Sequence, residues 1–91
     1  MSEVTRTVLV TNKRGLHARA SAKFVTLAST QPCEVAVMKA GAGSVTGTSI
    51  MGLMMLGAAM GDEITISAQG DGAVDAVGAL CELVEAKFGE D

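Results

Sequence analysis

Residues 62–89 read DEITISAQGDGAVDAVGALCELVEAKFG, and within them the hydrophobic period changes once. From Asp62 to Ala68 apolar and polar residues alternate through Ile64 and Ile66, the period of a half-buried strand. After the Gly70-Asp71-Gly72 turn, Val74, Val77, Leu80, Cys81, Val84 and Phe88 recur at helical spacing. Asp71 and Asp75 lie near the start of this segment and Lys87 near its end, each charge suited to the helix dipole. Gly89 is the expected stop. A strand followed directly by an amphipathic helix implies helices packed on one face of a sheet.

The rest of the chain repeats this alternation of elements. Val4 to Val10 is β-branched and roughly alternating, a strand, and Asn12 to Gly15 is a polar turn. Ala18 to Ser29 is helical, with Ala20, Phe24, Leu27 and Ala28 on one face, and Pro32 closes the region. Glu34 to Met38 alternates again. Gly41-Ala42-Gly43 makes a hairpin turn, and Ser44 to Thr46 continues beyond it. Ile50 to Leu56 is a short helix entered through a polar Thr48-Ser49 cap and ended by Gly57 and Gly61. The order β-α-β-β-α-β-α in 91 residues is that of a two-layer α+β domain, single over residues 1–91.

Composition narrows the function classes. Aromatic residues make up 2% of the chain and the net charge is −3, which argues against nucleic acid. No run approaches the ~18 apolar residues of a membrane span. Met1, Ser2 and Glu3 begin polar and acidic, so the expected location is the cytoplasm. Cys33 and Cys81 lack metal-ligand spacing and are expected to be buried free thiols.

His17 is the only histidine, at the point where the polar turn becomes a helix. The first N–H groups of a helix have no internal partner and the dipole is positive there, so a group that becomes a dianion meets ready donors. Arg19 adds a guanidinium suited to phosphate oxygens. An imidazole near neutral pH is nucleophilic. A lone histidine before a helix is more often an ordinary residue, and the surrounding motif decides the matter.

Gly15-Leu16-His17-Ala18-Arg19 resembles the active-site signature of the HPr family, the histidine phosphocarriers of the phosphoenolpyruvate-dependent phosphotransferase system. Thr48-Ser49-Ile50-Met51-Gly52-Leu53-Met54-Met55-Leu56-Gly57 resembles that family's regulatory-serine segment. The strand Gly61 to Ala68 and the acidic turn at Gly70 to Gly72 agree, so the resemblance spans about Thr7 to Phe88. It implies an open-faced β-sandwich, a four-stranded antiparallel sheet covered on one face by three helices. It implies a phosphocarrier and not an enzyme: His17 is phosphorylated on Nδ1 by enzyme I and passes the group to an enzyme IIA-type protein. Arg19 and the backbone of Ala18, Arg19 and Ala20 bind the phosphoryl group. Ser49 is the target of an HPr kinase/phosphorylase, and Ile50, Met51, Met54 and Met55 dock partners. No cofactor, metal, nucleic acid or membrane insertion is implied, and the chain is expected to act as a monomer.

The sequence departs from the family pattern at two places. Ala20 stands where the family usually has Pro, which restores a backbone donor and loosens the turn. Thr26 and Ser29 occupy a stretch that often carries lysines, with Lys23 earlier, so the docking face is less basic. With the Met-rich Ser49 segment, the missing Pro leans towards the nitrogen-related regulatory branch over sugar uptake. For the Ser49 segment the plainer readings are a helix cap and, for Ile50 and Leu53, core packing. A different class, a non-catalytic regulatory or binding domain acting through the Ser49–Met face, needs no His17. A conventional enzyme is the least expected class, because no second acid, base, metal cluster or phosphate-binding Gly loop accompanies His17 in the sequence.

Overall fold

The computed structural model describes residues 3–90; the polar start read at Met1 and Ser2 lies outside them. Four strands and three α-helices follow in chain order: β1 Glu3–Leu9, α1 Ala18–Ser29, β2 Val35–Lys39, β3 Gly43–Thr46, α2 Ile50–Met55, β4 Glu63–Gln69 and α3 Ala73–Glu85. A short 3-10 segment, Lys87–Gly89, follows α3. The expected strand lies one residue later than the observed one at β1 and one residue earlier at β2, within the usual fraying of element ends.

The sheet is antiparallel throughout, in the order β1-β4-β2-β3. Among the described residues only β2 and β3 pair as a hairpin, closed by the Ala42 N–H donating to Lys39 O at 3.0 Å. β4, the last strand in sequence, inserts between β1 and β2. Its alternation sorts the two faces: Ile64, Ile66 and Ala68 point to the core, and each meets an inward residue across the sheet. Ile64 lies opposite Val8, Ile66 opposite Val37, and Ala68 opposite Val35. The other face is uncovered and carries mostly short or polar side chains, with Leu9 as an exception on β1. Thr7 and Thr65 hydrogen-bond across it at 3.0 Å, and Met38 is exposed there.

The helices close the inward face. Phe24 from α1, Leu53 from α2, and Val77, Leu80 and Val84 from α3 are fully buried with the β4 isoleucines in one cluster. Burying each such side chain stabilises the fold by about 1.5–3 kcal/mol. With two phenylalanines as the only aromatics, both of them buried, this core rests on interlocking aliphatic groups.

Several expectations need correction. Val74 was placed on the buried stripe of α3 but is exposed, because it sits one position off the helix's inner arc. Phe88 is buried as expected, yet it does not belong to α3. The helix stops at Glu85, four residues before Gly89, and Lys87 and Phe88 adopt left-handed φ of 58° and 56°. The chain turns back there and inserts Phe88 from a loop. Lys87 therefore does not sit in the last turn of α3. Leu27 is only partly buried, while Ser21 joins Ala20, Phe24 and Ala28 on the inner face of α1. Cys33 is half-buried, unlike Cys81, because it sits in the bend between α1 and β2. Burial pushes the Cys81 thiol up, assisted by Glu85 and opposed by Arg6, so it packs as a small neutral hydrophobe.

Candidate functional site

The site is built at the top of α1. Val8 and Val10 point inward, and Asn12, two residues on, continues that inward row and is fully buried. The polar turn expected at Asn12–Gly15 thus hides its first residue. Asn12 Nδ2 donates to Gly15 O at 2.8 Å, and the Gly15 N–H donates to Asn12 O at 3.2 Å. Leu16 is buried, its N–H donating to Ala58 O at 3.0 Å and its carbonyl accepting from Ser21 Oγ at 3.2 Å. Two bonds thus hold Leu16 itself, and the Asn12 bonds hold Gly15 before it.

Gly15 is required here. Its φ is +64°, and an added Cβ would lie 2.3 Å from Ala58 O and 2.8 Å from Ala59 Cα. Backbone occupies the space a side chain would need.

His17 is the N-cap of α1. Its Nδ1 accepts a hydrogen bond from the Arg19 backbone N–H at 3.2 Å. A ring nitrogen that accepts carries its lone pair, so the ring hydrogen is assigned to Nε2. Nε2 is hydrogen-bonded to Glu90 Oε2, and Glu90 Oε1 accepts from Asn12 Nδ2 at 3.1 Å. The His17 and Glu90 side chains are 15% and 19% exposed, so water screens this contact only partly. Lys23 Nζ donates to Phe88 O at 2.7 Å and holds the C-terminal turn against α1.

The three residues expected to bind the phosphoryl group open α1. The N–H groups of Ala18, Arg19 and Ala20 belong to the first turn of α1, where no earlier helical carbonyl meets them. That of Arg19 is engaged by His17 Nδ1. Among the described residues the Arg19 side chain has no ion-pair partner and is exposed.

Ser49 is the N-cap of α2, its Oγ accepting from the Gly52 N–H at 3.0 Å. The capping reading of this residue is thus met by geometry. A Cβ on Gly52 would press on Ser49 Oγ and on Val45 Cβ, both at 3.1 Å, so the glycine lets α2 lie close to β3. The plainer core-packing reading holds for Leu53, which faces the core, and not for Ile50, which is exposed together with Met51, Met54 and Met55. α1 packs against α2, so these side chains and the His17 end of α1 belong to adjoining helices.

Two residues of the His17 environment escaped the sequence reading. Asn12 was legible in principle, as a polar residue on the inward row Val8-Val10-Asn12. Glu90 carried no signal, since it lies 73 residues from His17. Burial by itself would raise the Glu90 carboxyl. Hydrogen bonds from Asn12 and His17, with the charges of His17 and Lys23, outweigh that and hold it below its usual range. A depressed folded value means the contact contributes fully above the ordinary glutamate pKa and is lost as pH falls through the lower one. A carboxyl NMR titration is therefore expected to place the Glu90 midpoint on the acid side of an unstructured glutamate. A midpoint at the ordinary value would mean that the contact is not formed in solution.

Among the described residues no group of three or more His, Cys, Asp or Glu side chains is placed to hold a metal, and no helix is long and apolar enough to cross a membrane.

An antiparallel β1-β4-β2-β3 sheet with three helices on one face, and a histidine capping the first helix, is the architecture of a histidine phosphocarrier. Comparison with known proteins places the chain in that class. Residues 4–86 match the family model described as the PTS HPr component phosphorylation site. The phosphocarrier protein NPr of Shewanella violacea is 41% identical over 90 residues, which cover 99% of this chain and 98% of that one. The phosphocarrier protein HPr of Pseudomonas putida is 45% identical over 85 residues, covering 93% and 94%. The crystal structure of HPr from Thermoanaerobacter tengcongensis superposes with a TM-score of 0.88 at 44% identity, covering 100% of this chain and 99% of that one. The chain belongs to the HPr family of phosphocarriers, and its role is that of a carrier and not of an enzyme.

Proposed function

We propose that His17 is the phosphoryl acceptor, loaded through Nδ1 by phosphorylated enzyme I and discharged to an enzyme IIA-type protein. The observation that carries this reading is the Nδ1 lone pair held at the N-terminus of α1. A phosphoryl group on Nδ1 meets the N–H groups of Ala18, Arg19 and Ala20 and the positive end of the helix dipole. The Arg19 guanidinium is within the same turn and free to fold onto the phosphate oxygens. A helix terminus contributes about 0.3–1 kcal/mol to such a charge. That is enough to hold the group and too little to trap it. Ala20 in place of Pro offers one more backbone donor.

The exposed Ile50, Met51, Met54 and Met55 form the docking surface in this reading. Their flexible side chains suit successive partners of different shape. Similarity to an NPr supports a recipient in the nitrogen-related branch. Ser49, half-buried at its cap, is a regulatory site for an HPr kinase/phosphorylase in this reading. A phosphate there adds about −1.5 to −2 charges beside the docking residues and weakens docking. The protein acts as a cytoplasmic monomer.

The test is incubation with phosphoenolpyruvate and purified enzyme I, read by intact mass. A gain of one phosphoryl group, acid-labile and base-stable, is expected. No gain, with an enzyme I active on another carrier, overturns this reading in favour of a binding role centred on the Ser49–Met face.

A further inference from the structure

We infer that Glu90 is a positioning residue for phosphoryl transfer: its carboxylate, oriented by Asn12, holds the hydrogen of His17 on Nε2 and so keeps Nδ1 as the nucleophile. The inference rests on the carrier reading above.

The geometry has two ends. On one side of the ring the Arg19 N–H points at Nδ1, and on the other the Glu90 carboxylate takes the Nε2 hydrogen. Both contacts favour the same tautomer. The second carboxylate oxygen is held by Asn12 Nδ2, which also grips Gly15 O. Asn12 is fully buried, and its Oδ1 has no partner among the described residues. A buried amide that leaves its oxygen unpaired while its nitrogen serves both Gly15 and Glu90 is placed for those two contacts. The turn at Lys87 and Phe88, pinned by Lys23, brings Glu90 back over α1. The groups facing the carboxylate are thus Asn12, His17 and, further off, the Lys23 ammonium.

The transfer step balances without a proton leaving His17. The Nδ1 lone pair forms the bond to phosphorus, the bond from phosphorus to the donor breaks, and its electron pair returns to the donor atom. Nε2 keeps its hydrogen, the ring becomes a phosphorylated imidazolium, and the Glu90 carboxylate faces that positive charge. A ring held in this protonated form is the better leaving group for onward transfer. In the reverse sense, the pair of the N–P bond returns to Nδ1 and the starting tautomer is regenerated.

The experiment compares the full chain with Glu90→Gln and Glu90→Ala. Each is read first by ¹H–¹⁵N NMR of the single histidine ring, without phosphorylation, and then by transfer rate. In the parent chain a slowly exchanging Nε2–H signal is expected. Glu90→Gln, whose amide oxygen still accepts, retains it, and Glu90→Ala loses it to solvent exchange. Phosphoryl transfer slows roughly tenfold in Glu90→Ala, the size expected for one lost hydrogen bond to a charged group. It slows in Glu90→Gln as well, because the charge is gone. Ring signals unchanged in Glu90→Ala, with normal phosphorylation of the parent chain, overturn the role of Glu90 alone. A parent chain that takes up no phosphoryl group overturns the carrier reading whatever the ring signals show.

Discussion

A His17→Ala chain is expected to take up no acid-labile phosphoryl group from enzyme I while remaining folded. The loss is complete because no other imidazole exists in the chain to replace the nucleophile. The fold survives because His17 contributes a helix cap and one surface-edge contact, not core volume. Its Nδ1 caps a single N–H of α1, and removing a polar cap costs about 0.5–2 kcal/mol. The contact with Glu90 is also lost, which frees the Glu90 side chain but leaves Phe88 buried. Against a typical stability of about 5–15 kcal/mol, this leaves a folded domain. Intact mass after incubation and a thermal melt check both halves. His17→Asn sharpens the test, since Asn caps a helix well yet cannot carry the group. Acid-labile phosphate on either variant at the parent level would show that His17 is not the acceptor. Acid-stable phosphate would point to a hydroxyl such as Ser49.

Gly15→Ala is expected to damage both stability and transfer, although Gly15 has no side chain to contribute. Two terms add. A non-glycine residue at φ +64° carries backbone strain of about 1–3 kcal/mol. The new methyl would also lie 2.3 Å from Ala58 O, and relieving that overlap costs about 1–3 kcal/mol more. The overlap is difficult to relax, because the same Ala58 carbonyl accepts the Leu16 N–H and Gly15 O is held by buried Asn12. If the chain yields, it yields by moving Leu16 and hence His17. A displacement near 1 Å at a reacting group lowers rates by about 10²-fold. The melting midpoint is expected to fall by roughly 10 °C or more. Initial rates of phosphorylation, measured well below that midpoint, separate the loss of geometry from the loss of fold. A variant with parent-like melting and parent-like rates would show that Gly15 is not confined as described. Gly57→Ala is a useful control, since it shares a positive φ of 67° but meets nothing within 4 Å.

Much of the protein was legible without coordinates because its elements have simple periods. The alternation at Ile64, Ile66 and Ala68 marks the inner face of β4. Phe24 with its neighbours marks α1, and Leu80, Cys81 and Val84 mark α3. His17, Arg19 and Ser49 were legible because they sit in short motifs whose chemistry is local: a nucleophile, a cation and a cap at helix starts. These readings depend on residues within a few positions of one another, where covalent geometry alone sets who can meet whom.

Other features depend on contacts between distant segments, and local patterns carry no information about them. Nothing in the order of strands requires β4 to enter between β1 and β2; that follows from which inward rows interlock across the sheet. Ile50 and Val74 are apolar at plausible core positions, yet they face solvent, since only packing decides which arc of a helix is covered. Phe88 keeps the right distance along the chain for a helical stripe but reaches the core through a left-handed turn. That turn is what brings Glu90 to His17, across 73 positions of sequence. The sequence by itself determined the elements, the family and the nucleophile, because these are written in local spacing. The tertiary structure decided the sheet order, the exposed face and the carboxylate beside the histidine, because closing long loops into one packed core sets which distant groups become neighbours.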